Sequence, residues 1–254
     1  MVKAKKHLGQ HFLKDKNIAS KIADSLLNEN NDDVLEIGPG TGVLTQFLVE
    51  KPYALTLVEI DDESVEYLQE NFSDDFRLLN TDFLKMDLSE YFKAQYCIIG
   101  NFPYNISSQI FFKLLENHEN IPELVGMIQK EVAERIASVH GNKTYGILSV
   151  LLQLFYNIEY LFTVNENVFA PPPKVKSAVI RLRRIENNQL DCDFDKLKLV
   201  VKTAFNQRRK TMRNSLSGFI PPCIDKAQEI FNKRPEQLAP LEFVELTKML
   251  FSNI

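Results

Sequence analysis

Apolar residues along this chain recur with two periods, and the switches between them mark its elements. Ile18, Ala19, Ile22, Ala23, Leu26 and Leu27 stand one, three or four apart, which predicts an amphipathic helix over residues 15–28. After it, short continuous apolar runs alternate with helical spacing. The runs "DVLEIG", "ALTLVEI", "FRLLNTD", "YCIIGN" and "LVGMIQK" read as strands; "TGVLTQFLVEK", "DESVEYLQENF", "SSQIFFKLLENH" and "EVAERIASV" read as the helices between and after them. "GILSVLLQLFYN" reads as a buried helix, and "IEYLFTV" and "SAVIRLRRI" as closing strands. Apolar runs without alternation suit parallel strands covered on both faces. The rhythm therefore predicts an α/β fold: a doubly wound, Rossmann-like, mostly parallel sheet ending in an antiparallel hairpin.

Past about Asn187 the rhythm changes. "DFDKLKLVVKTAFNQ", "KTMRNSLSG", "IDKAQEIFN" and "PLEFVELTKMLFS" all carry helical spacing, with "GFIPP" and "KRPEQLAP" as breaks. A two-domain chain follows, with the α/β domain at residues 1–187 and a small all-α domain at 188–254.

Composition narrows the setting. A chain of 254 residues with 44% hydrophobic content has enough apolar side chain for one substantial core. Cys97, Cys192 and Cys223 are odd in number and far apart, with no CxxC spacing, so neither a disulfide framework nor a zinc site is expected and a reducing, cytoplasmic setting fits. His7 and His11 are four apart but lack the Glu of an HExxH pattern and a third ligand, so no metal is expected. The basic start "MVKAKKHLGQHFL" has no apolar segment after it, and Ser149, Gln153, Asn157 and Glu159 interrupt the most hydrophobic stretch; no signal peptide and no membrane span are predicted.

The net charge of −4 argues against a polyanionic partner only until the charges are located. Residues 3–21 carry six lysines against Asp15, residues 174–184 carry Lys174, Lys176, Arg181, Arg183 and Arg184, and residues 202–213 carry Lys202, Arg208, Arg209, Lys210 and Arg213. Each segment is +5, leaving −19 for the rest of the chain. Such segregation suits a bound nucleic acid, and also suits separate solvated faces.

The candidate chemistry lies at strand ends. "VLEIGPGTGVLT" places Gly38, Gly40 and Gly42 between a strand and a helix, where a ligand can approach backbone amides. The spacing is GxGxG rather than GxGxxG, and Glu36 sits badly against a pyrophosphate, so a cationic ligand without phosphate fits better. Glu59 ends the second strand 21 residues after Gly38, placed to accept from both hydroxyls of a ribose. Asp82 ends the third, placed to accept from an adenine amine. Acids at strand ends also cap helices, but three in succession point to S-adenosylmethionine.

"NFPY", Asn101 to Tyr104, follows the fourth strand. An exocyclic aromatic amine is a poor nucleophile because its lone pair is delocalised into the ring. Acceptors on its hydrogens, the Asn101 side-chain oxygen and a carbonyl near Phe102, would favour a pyramidal nitrogen positioned for in-line displacement without a metal. Tyr104 would stack on a flipped base, and Phe169, before the rigid run Pro171 to Pro173, would hold its other face. Lys174 and Lys176 would meet phosphates, and Asn206 to Leu216 reads as an RNA-facing helix.

"LGQHFL", "EIGPGTGVLT", "VEID", "TDFL", "GNFPYNIS", "FAPPPKVKSAVIRL", "AFNQRRKTMRNSL" and "RPEQLAPLEFVEL" together resemble, in order and spacing, the KsgA/RsmA family of small-subunit ribosomal RNA adenine dimethyltransferases, over nearly the whole chain. The resemblance implies a class I S-adenosylmethionine-dependent methyltransferase domain, a helical RNA-binding domain after it, and N6,N6-dimethylation of two adjacent adenines in the 3′-terminal hairpin of that RNA during ribosome assembly. It implies donor contacts at His11, Leu13, Gly38, Gly40, Glu59, Asp82 and Asn101, and base contacts at Asn101, Tyr104 and Phe169. The basic segments add expected RNA contacts at Lys174, Lys176, Arg208, Arg209, Lys210 and Arg213; the expected partner is the small ribosomal subunit with its RNA, and the enzyme is expected to be a monomer. The family usually has Asn at the position of His11. The rival readings are the antibiotic-resistance branch acting on large-subunit RNA, a non-catalytic assembly scaffold, and a dehydrogenase.

Overall fold

The computed structural model describes every residue except 1, 31, 73–75, 187–189 and 252–254. In chain order its principal elements are β1 (Phe12–Leu13), α1 (Lys16–Ala23), β2 (Asp33–Ile37), α2 (Thr45–Leu48), β3 (Leu55–Glu59), α3 (Asp62–Asn71), β4 (Arg77–Asn80), α4 (Leu88–Tyr91), β5 (Tyr96–Asn101) and α5 (Ser107–Glu116). There follow β6 (Glu123–Gln129), α6 (Lys130–Ala137), α7 (Ile147–Phe155), β7 (Tyr156–Val164), β8 (Phe169–Ala170), β9 (Ser177–Arg184), α8 (Phe194–Asn206), α9 (Met212–Ser215) and α10 (Pro240–Phe251).

Among the described residues seven strands form one sheet in the order β4-β3-β2-β5-β6-β9-β7. The pairs β3/β4, β2/β3, β2/β5 and β5/β6 are parallel, and β9 runs antiparallel to β6, with Gly126 opposite Ile180. Strand residues point alternately to the two faces. Val34, Leu55, Leu57, Cys97, Ile99, Val125, Met127 and Val179, each two apart within its strand, share one core cluster with Ala19, Ile22, Leu48 and Leu68 of three helices. Their neighbours Leu35, Ile98, Leu124, Ile128 and Ile180 are equally buried on the opposite face. Each such Leu or Ile contributes roughly 1.5–3 kcal/mol by leaving water.

Local chemistry sets the element ends. The Asp15 carboxylate caps α1, accepting from the Asn17 and Ile18 amides at 2.9 and 3.2 Å, and α1 ends at Ala23, short of the expected Leu27 or Asn28. The helix expected from Thr41 is only four residues long, because Gly42 has φ +73° and the chain turns until Thr45. β1 pairs antiparallel with β8, Leu13 opposite Phe169; no periodicity announces such two-residue strands.

Chain contacts divide the protein into two units, residues 1–133 with 157–184, and residues 134–156 with 185–254. The expected boundary at 187/188 lies outside the described residues, and 134–156, which the sequence places in the first domain, clusters with the C-terminal helices. In that second unit α7 packs against α8 and α10. Rings line its interior, with Tyr145 6.0 Å from Phe205 and Phe205 6.0 Å from Phe243. "IDKAQEIFN" forms a 3-10 turn only at Glu229–Asn232, not the expected helix. No helix among the described residues is long and apolar enough to cross a membrane.

Candidate active site

Strands β2, β3 and β5 end at one edge of the sheet, and a cleft of about 460 Å³ opens there. Gly38 and Gly40 after β2, Glu59 at the end of β3, and Asn101 to Tyr104 at the end of β5 line it, with residues 8–12 as the outer wall. An adjoining recess of about 560 Å³ shares Gly38, Glu59 and Pro103 and adds Asp82, Phe83 and Leu84. A third, of about 310 Å³, is lined by Leu13, Glu36, Gly38 and Asn101. The cleft and its two neighbouring recesses, which share Gly38, hold between them all the expected donor contacts: Gly38, Gly40, Glu59, Asp82 and Asn101 from the sheet edge, and His11 and Leu13 from the N-terminal arm.

Gly40 has φ +58°, and a Cβ there would come within 2.7 Å of the Phe12 ring. The turn is therefore closed to side chains both conformationally and by contact. Its amide donates to Glu59 Oε2 at 3.0 Å, while Glu59 Oε1 accepts from the Ile60 and Asp61 amides, both at 2.9 Å. A carboxylate has about four lone-pair sites, so about one remains, fewer than the two expected for a pair of ribose hydroxyls. Burial pushes the Glu59 carboxyl up from its usual value, opposed by these three amides. Glu36, 1% exposed, accepts from Thr45 Oγ1 at 2.7 Å. Burial, with the nearby Glu59 charge adding, pushes its pKa up to about 8. Asp82 caps the turn after β4 through the Leu84 amide at 3.0 Å and keeps its carboxylate at the rim of the second recess.

The N-terminal arm is fastened at several points. Lys5 Nζ pairs with the buried Asp61 carboxylate, which also accepts from Gln10 Nε2 at 3.1 Å. Burial pushes the Asp61 carboxyl up, but the Lys5, Gln10 and Ser64 bonds outweigh it and hold it below its usual range. Asn101 Nδ2 donates to the His11 carbonyl at 3.0 Å, which directs the amide's two ends and leaves Oδ1 as the acceptor at the cleft. His11 Nδ1 donates to the Pro171 carbonyl at 2.8 Å, and its ring lies 5.3 Å from that of Tyr104. The Tyr104 hydroxyl meets Ser177 Oγ at 2.5 Å; burial raises its pKa.

One expectation about a ring changes. Phe102, of which only a carbonyl was expected at the site, is 1% exposed, and its ring fills a niche over paired Gly100 and Gly126, where a Cβ on either would overlap it. Phe169, expected across the base from Tyr104, is also 1% exposed and packs in the core cluster with Leu13. The β1/β8 pairing turns it inward, so its ring offers no face to the cleft. Phe12, Gln10 and Ile60, which the sequence does not single out, line the cleft instead; their signal was their place in "GQHFL" and next to Glu59.

Among the basic candidates, Lys174 and Lys176 are exposed just before β9. In the second unit the expected RNA-facing helix is instead a turn, with α9 only Met212–Ser215. Arg208 is engaged by the Asn142 carbonyl at 3.3 Å and Glu236 at 3.7 Å. Arg213 donates to the Lys226 carbonyl at 2.6 Å and Asn232 Oδ1 at 2.9 Å. Arg209 and Lys210 are the exposed pair.

A glycine turn after the first sheet strand, acids ending the next two, and an antiparallel β9 inserted beside β6 define a class I S-adenosylmethionine-dependent methyltransferase. Residues 1–248 match the family model described as ribosomal RNA adenine dimethylase, and the chain belongs to that family. Relatives named ribosomal RNA small subunit methyltransferase A include one from Parabacteroides distasonis, 60% identical over 249 residues, 97% of this chain and 94% of the relative. One from Flavobacterium johnsoniae is 57% identical over 253 residues, covering 98% and 96%. A dimethyladenosine transferase from Plasmodium falciparum superposes with a TM-score of 0.79 at 26% identity, over 93% of this chain and 96% of that one. The 23S rRNA methyltransferase ErmE gives 0.68 at 25%, over 92% and 98%.

Proposed function

We propose that this protein transfers methyl groups from S-adenosylmethionine to N6 of two adjacent adenines in the 3′-terminal hairpin of small-subunit ribosomal RNA, forming N6,N6-dimethyladenosine during ribosome assembly. The observation that carries the chemistry is the Asn101 amide, turned by the His11 carbonyl so that Oδ1 is presented at the cleft. Small-subunit RNA is favoured over large-subunit RNA by identities of 57 and 60% to the small-subunit enzymes against 25% to ErmE.

The residues fit the donor. The bare glycine turn lets a ligand come close to the backbone, although the Gly38, Gly40 and Gly42 amides already donate to the Val58 carbonyl, Glu59 and the Pro39 carbonyl; Glu59 keeps about one lone-pair site for a ribose hydroxyl, and Asp82 stands where an adenine amine would donate. Bound there, S-adenosylmethionine supplies a methyl group made electrophilic by its sulfonium. Asn101 Oδ1 accepts a hydrogen from the target amine and turns the nitrogen lone pair outward. The carbonyl near Phe102, held by the ring's niche, accepts the second hydrogen of an unmethylated amine. Tyr104, tethered through Ser177, offers its ring to the base, where stacking is worth roughly 1–3 kcal/mol. Lys174, Lys176, Arg209 and Lys210 contact phosphates.

The test is transfer of labelled methyl groups to unmethylated small subunits, with large subunits as the control and nucleosides identified by mass spectrometry. Dimethyladenosine at two adjacent small-subunit positions is expected. Label confined to large subunits, or donor binding without transfer, would overturn the reading.

A further inference from the structure

Lys113 is a charged side chain on α5 that the proposed chemistry leaves unused, yet it is only 9% exposed. Its Nζ donates to the Phe83 carbonyl at 2.6 Å and the Met86 carbonyl at 2.5 Å, and stands 5.0 Å from the centre of the Phe83 ring. Those carbonyls bracket the 3-10 turn Phe83–Lys85. Asp82 grips the same turn from its start, its carboxylate accepting from the Leu84 amide at 3.0 Å and its carbonyl from the Lys85 amide at 2.9 Å. Asp82, Phe83 and Leu84 form one wall of the recess beside Glu59.

Burying an ammonium is costly, and here the cost is offset by the two carbonyls it satisfies, which an apolar chain of similar length would leave without that donor. What the ammonium adds is direction: it ties both ends of a short turn to one helix. We propose that Lys113 is a positioning residue for the methyl donor's adenine, fixing the Asp82 carboxylate and the Phe83–Leu84 backbone that read the exocyclic amine. This inference rests on the donor reading given above. The charges facing Lys113 are Asp82, Asp87 and Glu116; burial lowers its pKa and these acids oppose that.

Titration calorimetry with S-adenosylhomocysteine and S-inosylhomocysteine, in which a carbonyl oxygen replaces the amine, tests the assignment. Wild-type protein is expected to prefer the adenosyl compound. In Lys113→Met its affinity falls roughly tenfold while the inosyl compound is little changed, so discrimination collapses. Turnover at saturating donor and the KM for ribosomal subunits stay within about twofold, and Lys113→Arg recovers part of the discrimination. Discrimination that survives in Lys113→Met, or equal weakening for both compounds, overturns the proposal whatever happens to thermal stability. Should that variant not fold, Lys113→Gln, uncharged and one atom too short to reach both carbonyls, is expected to lose most of the discrimination, and full discrimination in it would overturn the proposal. Wild-type protein that binds neither compound would instead overturn the donor reading, and with it this one.

Discussion

Replacing Glu36 by Gln tests whether the floor of the site is neutral. The carboxyl is 1% exposed and its pKa is pushed from the usual 4.5 to about 8, so the folded protein holds a proton that the unfolded chain has lost. For a group raised in the folded state, the stability contribution is complete below about pH 4.5 and lost as pH climbs through about 8. At ~1.4 kcal/mol per pKa unit, the cost of burying Glu36 is under ~1 kcal/mol at pH 5 and roughly 4 kcal/mol at pH 8. Gln preserves the bond from Thr45 Oγ1, seen at 2.7 Å, and does not titrate. Urea unfolding at both pH values should show the variant gaining about 3 kcal/mol on the wild type between them, while other titrating groups cancel in the difference. A gap constant with pH to within about 1 kcal/mol would refute the reasoning, because Glu36 would then be ionised at neutral pH.

Asn101→Ala should lower kcat by roughly 10²–10³ by removing an acceptor aimed at the reacting amine, with the dissociation constant for the donor within about threefold; unchanged turnover would remove Asn101 from the chemistry. Gly40→Ala forces Cβ against Phe12 at positive φ and should cost about 1–3 kcal/mol and weaken donor binding, read by thermal unfolding and calorimetry; a silent variant would show that the turn is adaptable. Joint neutralisation of Arg209 and Lys210 should flatten the salt dependence of RNA binding by about 1.4 in log–log slope. Arg208→Ala, by contrast, should lower thermal stability through the lost Asn142 and Glu236 contacts, and a reversed pattern would exchange their roles.

The centre of the sheet was readable because the parallel strands β2, β3, β5 and β6 are buried on both faces and leave apolar runs, whereas β4 is a half-exposed edge strand, and β5 begins and ends where the run does. The acids at strand ends followed from the same registers. Elements decided by tertiary partners left no trace. β1 exists because Phe12 meets Ala170 across 158 residues, and this pairing, not any local property of "NVFAPPP", turns Phe169 inward. Helical spacing in "KTMRNSLSG" was real, but Met212 and Leu216 serve a buried corner and the basic residues before them lie on a turn. Lys113 was invisible because its partners are carbonyls, which have no letter in a sequence.

The niche beneath Phe102 ties the reacting loop to the evolution of the sheet. Gly100 and Gly126 sit opposite each other on neighbouring strands, and the Phe102 ring occupies the volume both have vacated. The three positions therefore form one steric unit, and a change at any of them is felt at the other two. Selection for suppressors of Gly126→Ala should accordingly return smaller side chains at 102, twenty-four residues away in the chain, and such lineages should drift in turnover before they drift in fold.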